Sequence, residues 1–308
     1  LFPGCTEAPI KSHSIQRALL KQIADETNHV IRININAEFK RNGKIEVLEE
    51  RLSINDASTF DGYCNKHDTS IFLPIEQSEI DYKNPEHIFL LLYRSIVREY
   101  FQSRKGYDLM REISIELVKG YKEEDIMGPF IISQVYMQYL ELFHIEKIKD
   151  FMDLCYINKL YDNIFVSKQI IIDEEYPIYL NTFFAVQGSN YNHSFQKDIT
   201  KEMPLYCSVT MLPLKGKTIV FYSYLKEQEK ELLDYLNKFT LTTKLELEVF
   251  LSHLILRNTD NFYISPDYWT KLPDIDKEQI KNIFIKTMNN REYISETQIN
   301  LFKYNKKT

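Results

Sequence analysis

The sequence is poor in glycine and proline, with 8 Gly and 10 Pro among 308 residues. Flexible linkers and low-complexity segments are rich in these residues, so their scarcity predicts a chain that is folded over most of its length. The 4 cysteines are too scattered along the chain for a disulfide framework. We interpret them as thiols of a reducing compartment, which predicts a cytoplasmic protein.

The chain also lacks an apolar run long enough to span a bilayer, so no membrane partner is predicted. It has no excess of basic residues: Lys and Arg number 38 against 44 Asp and Glu, and the formal net charge is −6. Dedicated nucleic-acid-binding proteins usually carry a basic surface, so any contact with DNA or RNA would require a local patch. A glycine-rich phosphate loop, a Gly-x-Ser-x-Gly elbow and a kinase motif are all missing from the sequence.

Aromatic residues are abundant, with 21 Tyr and 19 Phe, and they allow a sizeable core. Four β-branched and aromatic runs after residue 163 predict strands: IFVSKQIII, IYLNTFFAV, LYCSVTML and KTIVFYSYL. Helices are predicted over about 15–26, from Asn84-Pro85 onward, and over about 107–119, 130–161, 226–239, 244–257 and 274–288. The expected fold class is therefore α+β, with a C-terminal antiparallel sheet and helices.

A hairpin is predicted in the N-terminal quarter of the chain. Apolar and polar residues alternate from Ile31 to Phe39, which indicates a half-buried strand. Asn42-Gly43 can supply the positive φ angles of a tight turn, and a return strand starts at Ile45. This hairpin and the Cys and His pattern described in the next paragraph predict three segments of the chain. These are a treble-clef-like zinc unit over 1–76, a helical segment over 77–162 and an α+β domain over 163–308.

The chemical signal of the sequence is a set of cysteines and histidines around this hairpin. Cys64 and His67 form a Cys-x2-His pair, the spacing with which a short knuckle presents two ligands to one metal ion. Cys5 would belong to a second pair, whose other member is not evident within residues 1–12. It is either a residue upstream of Leu1 or His13. We therefore predict a structural zinc ion bound by Cys5, Cys64 and His67 with a fourth ligand.

A knuckle, a hairpin and a ligand pair at the start of a helix resemble the divergent zinc-containing members of the HNH (ββα-metal, treble-clef) endonuclease superfamily. In that family a histidine after the first knuckle acts as the general base, and Ser12-His13-Ser14-Ile15 stands in that place. Asp68 directly follows His67, where the family has a residue that helps to hold the catalytic metal. The resemblance implies catalytic roles for His13 and Asp68, and Mg²⁺ or Mn²⁺ beside the structural zinc.

Two functions remain open from the sequence. The first is a metal-dependent nuclease, or a nuclease-derived effector, that acts on foreign DNA or RNA in antiviral defence; the order of His13 and Asp68 around the ligands favours it. The second is a non-enzymatic, zinc-stabilised module that binds a protein or nucleic-acid partner. Ser12 in place of the family's Asp, the absence of Asn just before Cys64 and the acidic net charge favour this second function.

Overall fold

The computed structural model describes residues 1–36, 46–77, 79–119, 127–162, 164–186, 203–240, 243–289 and 299–304. The strands are β1 (Lys11–His13), β2 (His29–Asn36), β3 (Glu46–Ser53), β4 (Thr59–Asp61), β5 (Phe165–Ile172), β6 (Ile178–Ala185), β7 (Tyr206–Leu214), β8 (Lys217–Leu225) and β9 (Phe262–Ile264). The α-helices are α1 (Arg17–Leu20), α2 (Asn65–Glu76), α3 (Pro85–Val118), α4 (Met127–Ile157), α5 (Glu229–Leu236), α6 (Lys244–Asn258), α7 (Pro266–Lys271) and α8 (Asp274–Asn289). The predicted α+β class is confirmed.

Two sheets are formed by the described strands. One has seven strands in the order β3-β2-β9-β6-β7-β8-β5, and each neighbouring pair in it is antiparallel. The other is the two-stranded pair of β1 and β4. The four strands predicted after residue 163 are therefore confirmed as β5 to β8, and all four belong to one antiparallel sheet.

The described residues group into two compact units. The first contains residues 1–12 and 60–162, with helices α2, α3 and α4. The second contains residues 13–59 and most of the chain from residue 164 onward, with the seven-stranded sheet and the remaining helices. This grouping differs from the predicted segments, because it separates residues 13–59 from the rest of 1–76.

The predicted N-terminal hairpin lies in the second unit. Strands β2 and β3 pair from His29 opposite Ser53 to Asn36 opposite Glu46, whereas the Asn42-Gly43 turn lies outside the described residues. Strand β2 also pairs with β9, so the hairpin forms one edge of the seven-stranded sheet. The hairpin is thus part of the large sheet, whereas the treble-clef pattern predicted it as part of the zinc-binding unit.

Strand β9 corrects a prediction of loop structure. The aromatic-rich sequence of residues 261–266 predicts a loop docked on the core, but Phe262–Ile264 is a buried strand between β2 and β6. Three residues are too few to show the two-residue period of a strand. Their backbone groups are satisfied by both neighbours, since Ile264 pairs with Ile31 on one side and Ile178 on the other. The strand is thus defined by contacts with distant parts of the chain.

Helix α3 of the first unit is longer than predicted. Helix α3 runs for 34 residues without the interruption expected between residues 100 and 107. Gly128-Pro129 lies in the first turn of α4, where a proline removes no helical hydrogen bond. Pro74 lies inside α2, which continues to Glu76. Conversely, the helix predicted over 15–26 is reduced to α1, which spans 4 residues.

One face of the seven-stranded sheet packs against helices and forms the main hydrophobic core. Helix α6 supplies Leu251, Leu254 and Ile255, and its start is fixed by a capping box between Thr243 and Glu246. Helices α5 and α8 contribute further apolar side chains, namely Leu232, Leu236, Ile280, Ile283 and Phe284. The sheet residues that meet them include Leu180, Val209, Met211 and Val220.

On the opposite face of the sheet, a buried polar network holds the segment after β1. The side chain of Asn181 donates to the carbonyl oxygen of Ser14 at 2.9 Å. Asn261 donates to the Asn181 carbonyl oxygen at 2.7 Å and to the Ser14 hydroxyl oxygen at 2.9 Å. The Ser14 hydroxyl in turn donates to the Ser58 carbonyl oxygen at 3.1 Å. Because these residues are buried, the network fixes residues 14 and 58 on the sheet.

Asp25 organises the turn that leads into β2. Its Oδ1 accepts hydrogen bonds from the backbone N–H of Thr27 at 2.9 Å and of His29 at 3.1 Å. Its Oδ2 accepts from the guanidinium of Arg51 on β3. Burial raises the pKa of this carboxyl, but the hydrogen bonds from Thr27, Arg51 and the backbone lower it more, so the pKa lies well below its usual range.

Asp25→Ala should therefore destabilise the second unit by about 1–2 kcal/mol near neutral pH, the typical cost of losing a turn-capping side chain. A carboxyl whose pKa is depressed by folding stabilises the folded state above its unfolded pKa of about 3.9. That contribution is lost as the pH falls below this value toward the folded pKa. The difference between wild type and Asp25→Ala in urea unfolding should shrink below about pH 4. An equal difference at pH 3 and pH 7 would contradict this, and Glu26→Ala, at an exposed neighbour, is the control.

Candidate metal centre

Two of the predicted ligands meet at the start of α2. Cys64 immediately precedes the helix, and its carbonyl oxygen accepts the backbone N–H of Asp68 at 2.9 Å in the first helical turn. His67 lies three residues after Cys64 and on the same side of this turn. The distance from Cys64 Sγ to His67 Nδ1 is 3.1 Å. The local Cys-x2-His spacing therefore brings the sulfur and the imidazole nitrogen together, as predicted.

The third predicted ligand, Cys5, reaches this point from the N-terminal segment. A tight turn precedes it, in which the Cys5 N–H donates to the Phe2 carbonyl oxygen at 3.1 Å. Gly4 has a φ of 71° in this turn, a left-handed conformation that glycine adopts without strain. Further along, the Ile10 N–H donates to the Tyr63 carbonyl oxygen at 2.8 Å, which aligns the segment with the residue before Cys64.

The three side chains have the mutual spacing of ligands around one ion. Cys5 Sγ and Cys64 Sγ are 3.6 Å apart, and all three potential ligand atoms lie within 4.8 Å of one another. Tetrahedral zinc would place two sulfurs about 3.8 Å apart and a sulfur and a nitrogen about 3.6 Å apart, given its usual bond lengths. Within the described part of the chain, Cys5, Cys64 and His67 thus form a group that could hold a metal ion.

Aromatic contacts fix the orientation of the imidazole. The ring of Phe2 stacks on His67 with a centroid distance of 4.4 Å and an interplanar angle of 23°. Phe2 also meets the ring of Tyr156 on α4 edge-on, at 6.3 Å. These contacts limit rotation of the His67 ring and keep its Nδ1 directed toward Cys64. A restrained ring loses less conformational entropy when it binds an ion.

The Cys64 thiol lies in a mixed electrostatic environment. The backbone N–H of His67 hydrogen-bonds to the Cys64 sulfur and lowers its pKa. Burial, the carboxylate of Glu7 and the neighbouring Cys5 act in the opposite direction and leave the pKa above its usual value. A metal ion must displace the thiol proton, so binding is expected to weaken as the solution becomes more acidic.

Glu7 is a neighbour of the site that the Cys and His pattern does not reveal. Its carboxylate raises the pKa of the Cys64 thiol, and the residue itself is exposed. The available sequence signal is its position two residues after Cys5.

The two predicted catalytic residues are not members of the Cys5, Cys64 and His67 group. His13 lies in β1, and its Nε2 is 3.3 Å from the carbonyl oxygen of Ile54. Asp68 is half-buried in the first turn of α2, next to His67. Their roles as general base and hard-metal ligand stay predictions.

The other two cysteines lie in the interior. Cys155 is buried in α4 and Cys207 in β7, and burial raises the pKa of both thiols. A raised pKa disfavours the thiolate, which is the form that binds metal ions. Neither thiol belongs to the group formed by Cys5, Cys64 and His67.

Comparisons with known proteins provide no relative from which a function can be transferred. No family model matches the sequence, no curated protein matches it, and no solved structure matches the fold. Among the helices that the structure describes, none combines the length and apolarity needed to cross a membrane.

Proposed function

We propose that this chain is a zinc-binding protein whose ion joins the N-terminal segment, residues 1–12, to the start of α2. The supporting observation is the convergence of Cys5, Cys64 and His67 within 4.8 Å. Two thiolates and an imidazole favour zinc, because soft sulfur donors combined with nitrogen in a tetrahedral arrangement suit this ion. Magnesium and calcium prefer oxygen ligands and fit the group poorly.

The proposed role of the ion is structural. Cys5 and Cys64 are 59 positions apart in sequence, so a shared ion closes a long loop of the chain. Residues 1–10 contain neither helix nor strand and have little core of their own. The free energy of metal binding would therefore contribute directly to the folding of this segment, as in other small zinc-stabilised units.

A structural role of the zinc ion favours the second function, in which the chain is a non-enzymatic module that presents a surface to a protein or nucleic-acid partner. In such a module the ion orders the N-terminal segment and takes no part in a reaction. The acidic net charge of −6 favours a protein partner over an extended nucleic-acid surface.

The metal-dependent nuclease is the second candidate, and the position of Asp68 beside the ligand His67 favours it. In this function His13 would be the general base, and Asp68 would hold Mg²⁺ or Mn²⁺ against a phosphate. His13→Ala should then reduce Mg²⁺- or Mn²⁺-dependent cleavage of DNA or RNA by about 10²–10⁴-fold. Wild-type protein that cleaves neither nucleic acid with either ion would exclude the nuclease and leave the zinc-stabilised module.

Zinc content tests the proposed function directly. Purified wild-type protein should bind one zinc ion per chain, as measured by elemental analysis and by titration against a chromogenic chelator. Cys5→Ser and His67→Ala should each weaken binding by more than tenfold, because each removes a ligand. Cys155→Ala removes a buried thiol outside the group and should retain the zinc. Wild-type protein without zinc, or loss of zinc in Cys155→Ala alone, would overturn the proposal.

A further inference from the structure

An apolar seam runs along an exposed face of helix α4. Its members follow one another at spacings of four, three and four residues, which places them on one side of the helix: Ile132, Tyr136, Tyr139 and Phe143. Ile132 is 61% exposed, Tyr136 is 48% exposed and Tyr139 is 45% exposed, while Phe143 is half-buried. We call these four residues the α4 seam.

Other positions of α4 are already covered within the first unit. Ile131 and Leu140 are buried, and the helix packs against α3. Within the α4 seam, the ring of Tyr139 contacts the ring of Tyr107 on α3 at 5.9 Å and the ring of Phe143 at 6.2 Å. These contacts restrict the Tyr139 side chain before anything binds, which lowers the entropic cost of forming an interface there.

The N-terminal half of α4 carries no charged side chain. Residues 127–140, with the sequence MGPFIISQVYMQYL, contain no Asp, Glu, Lys or Arg. Surfaces that bind nucleic acid or an anionic membrane are rich in basic residues, so both kinds of partner fit the α4 seam poorly. When two copies of one surface meet about a two-fold axis, like charges can face each other, and an uncharged surface avoids that repulsion.

The exposed area of the α4 seam agrees with a small two-fold interface. The exposed fractions of Ile132, Tyr136 and Tyr139 correspond to roughly 350 Å² of surface on each chain. The smallest stable interfaces bury about 600 Å² per partner, and about 65% of a homodimer interface is apolar. The seam supplies most of the apolar area that such an interface needs, which predicts a dimer of modest affinity.

We propose that a second copy of this chain covers the α4 seam, with the two α4 helices antiparallel about a two-fold axis. Spacings of four, three and four residues are those of the core positions of a coiled coil, so two such seams can interlock. Tyr136 lies in the middle of the exposed part of the seam, and it meets its counterpart near the axis. The α4 seam shares no residue with the metal centre, and the proposed dimer does not rest on zinc binding.

Sedimentation equilibrium tests this dimer in solution. Wild-type protein should dimerise with a Kd of about 1–50 µM. Tyr136→Glu should weaken dimerisation by at least about 100-fold, because two carboxylates then lie close together near the axis. Tyr136→Lys should have the same effect for the same reason. An equimolar mixture of the two variants should dimerise again, since opposite charges then meet, and this rescue requires direct contact between the two copies of residue 136.

Leu154→Glu is the matched control. Leu154 is 58% exposed on the same helix, about three turns beyond Phe143, so its substitution should leave dimerisation as in wild type. Circular dichroism checks that each variant is folded. Wild-type protein that stays monomeric at about 300 µM, or a dimer that Tyr136→Glu leaves intact, would overturn the proposal. Binding of a monomeric wild type to phosphatidylserine vesicles would also overturn it and would assign the α4 seam to a membrane surface.

Discussion

Cys64→Ser should abolish zinc binding and release residues 1–12 from α2. The sulfur of Cys64 is central to the site, with Cys5 Sγ at 3.6 Å and His67 Nδ1 at 3.1 Å. At a free zinc concentration about 1,000 times the Kd, binding stabilises the folded protein by about 4 kcal/mol. Loss of that binding should lower the Tm of the first unit by about 15 °C.

Limited proteolysis can locate this effect. The variant should be cleaved within residues 1–12 under conditions in which the zinc-loaded wild type resists. Residues 13–36 and 46–59 should stay protected, since they group with the seven-stranded sheet. Chelator-treated wild type should reproduce the pattern of the variant, and added zinc should reverse it only in the wild type. Equal resistance of Cys64→Ser and wild type within residues 1–12 would falsify the structural role of the metal.

Asn181→Ala should destabilise the second unit by about 2–4 kcal/mol. Its side chain donates to the Ser14 carbonyl oxygen at 2.9 Å and accepts from the Thr210 hydroxyl at 3.2 Å. All three residues are buried, so both partner groups would lose a hydrogen bond away from water. Each buried polar group that is left without a partner costs about 1–3 kcal/mol.

Denaturant unfolding monitored by circular dichroism measures this difference. The matched control is Asn258→Ala at the end of α6, where the half-buried amide makes a hydrogen bond of 3.1 Å to the Leu254 carbonyl oxygen within its own helix. That substitution should cost about 1 kcal/mol or less. Equal destabilisation by the two variants would show that the buried network has no special role in holding Ser14 on the sheet.

The parts of the fold that could be predicted from the sequence are those with a repeating local pattern. Strands β5 to β8 and helices α6 and α8 contain enough residues for their periods to be read. Strand β9 has 3 residues and depends on pairing with β2 and β6, which no local pattern reports. The continuity of α3 through residues 100–107 could not be predicted either. The weak helix propensity of these residues is overridden within a helix of 34 residues.

The residues of the metal centre could likewise be predicted from the sequence only where a local spacing connects them. Cys64 and His67 could be paired from their spacing because one helical turn connects them. Cys5 joins them through backbone contacts made by Ile10 and Tyr63, which a sequence pattern does not encode.

The central position of β9 has a consequence for the order in which the chain folds. The hairpin of β2 and β3 joins the rest of its sheet through β9, which lies more than 200 positions later in the sequence. During synthesis at about 5–20 residues per second, the hairpin waits about 10–40 s for this strand to emerge. Such non-local pairing makes completion of the sheet a slow step, and the β2 edge stays open to other strands until then.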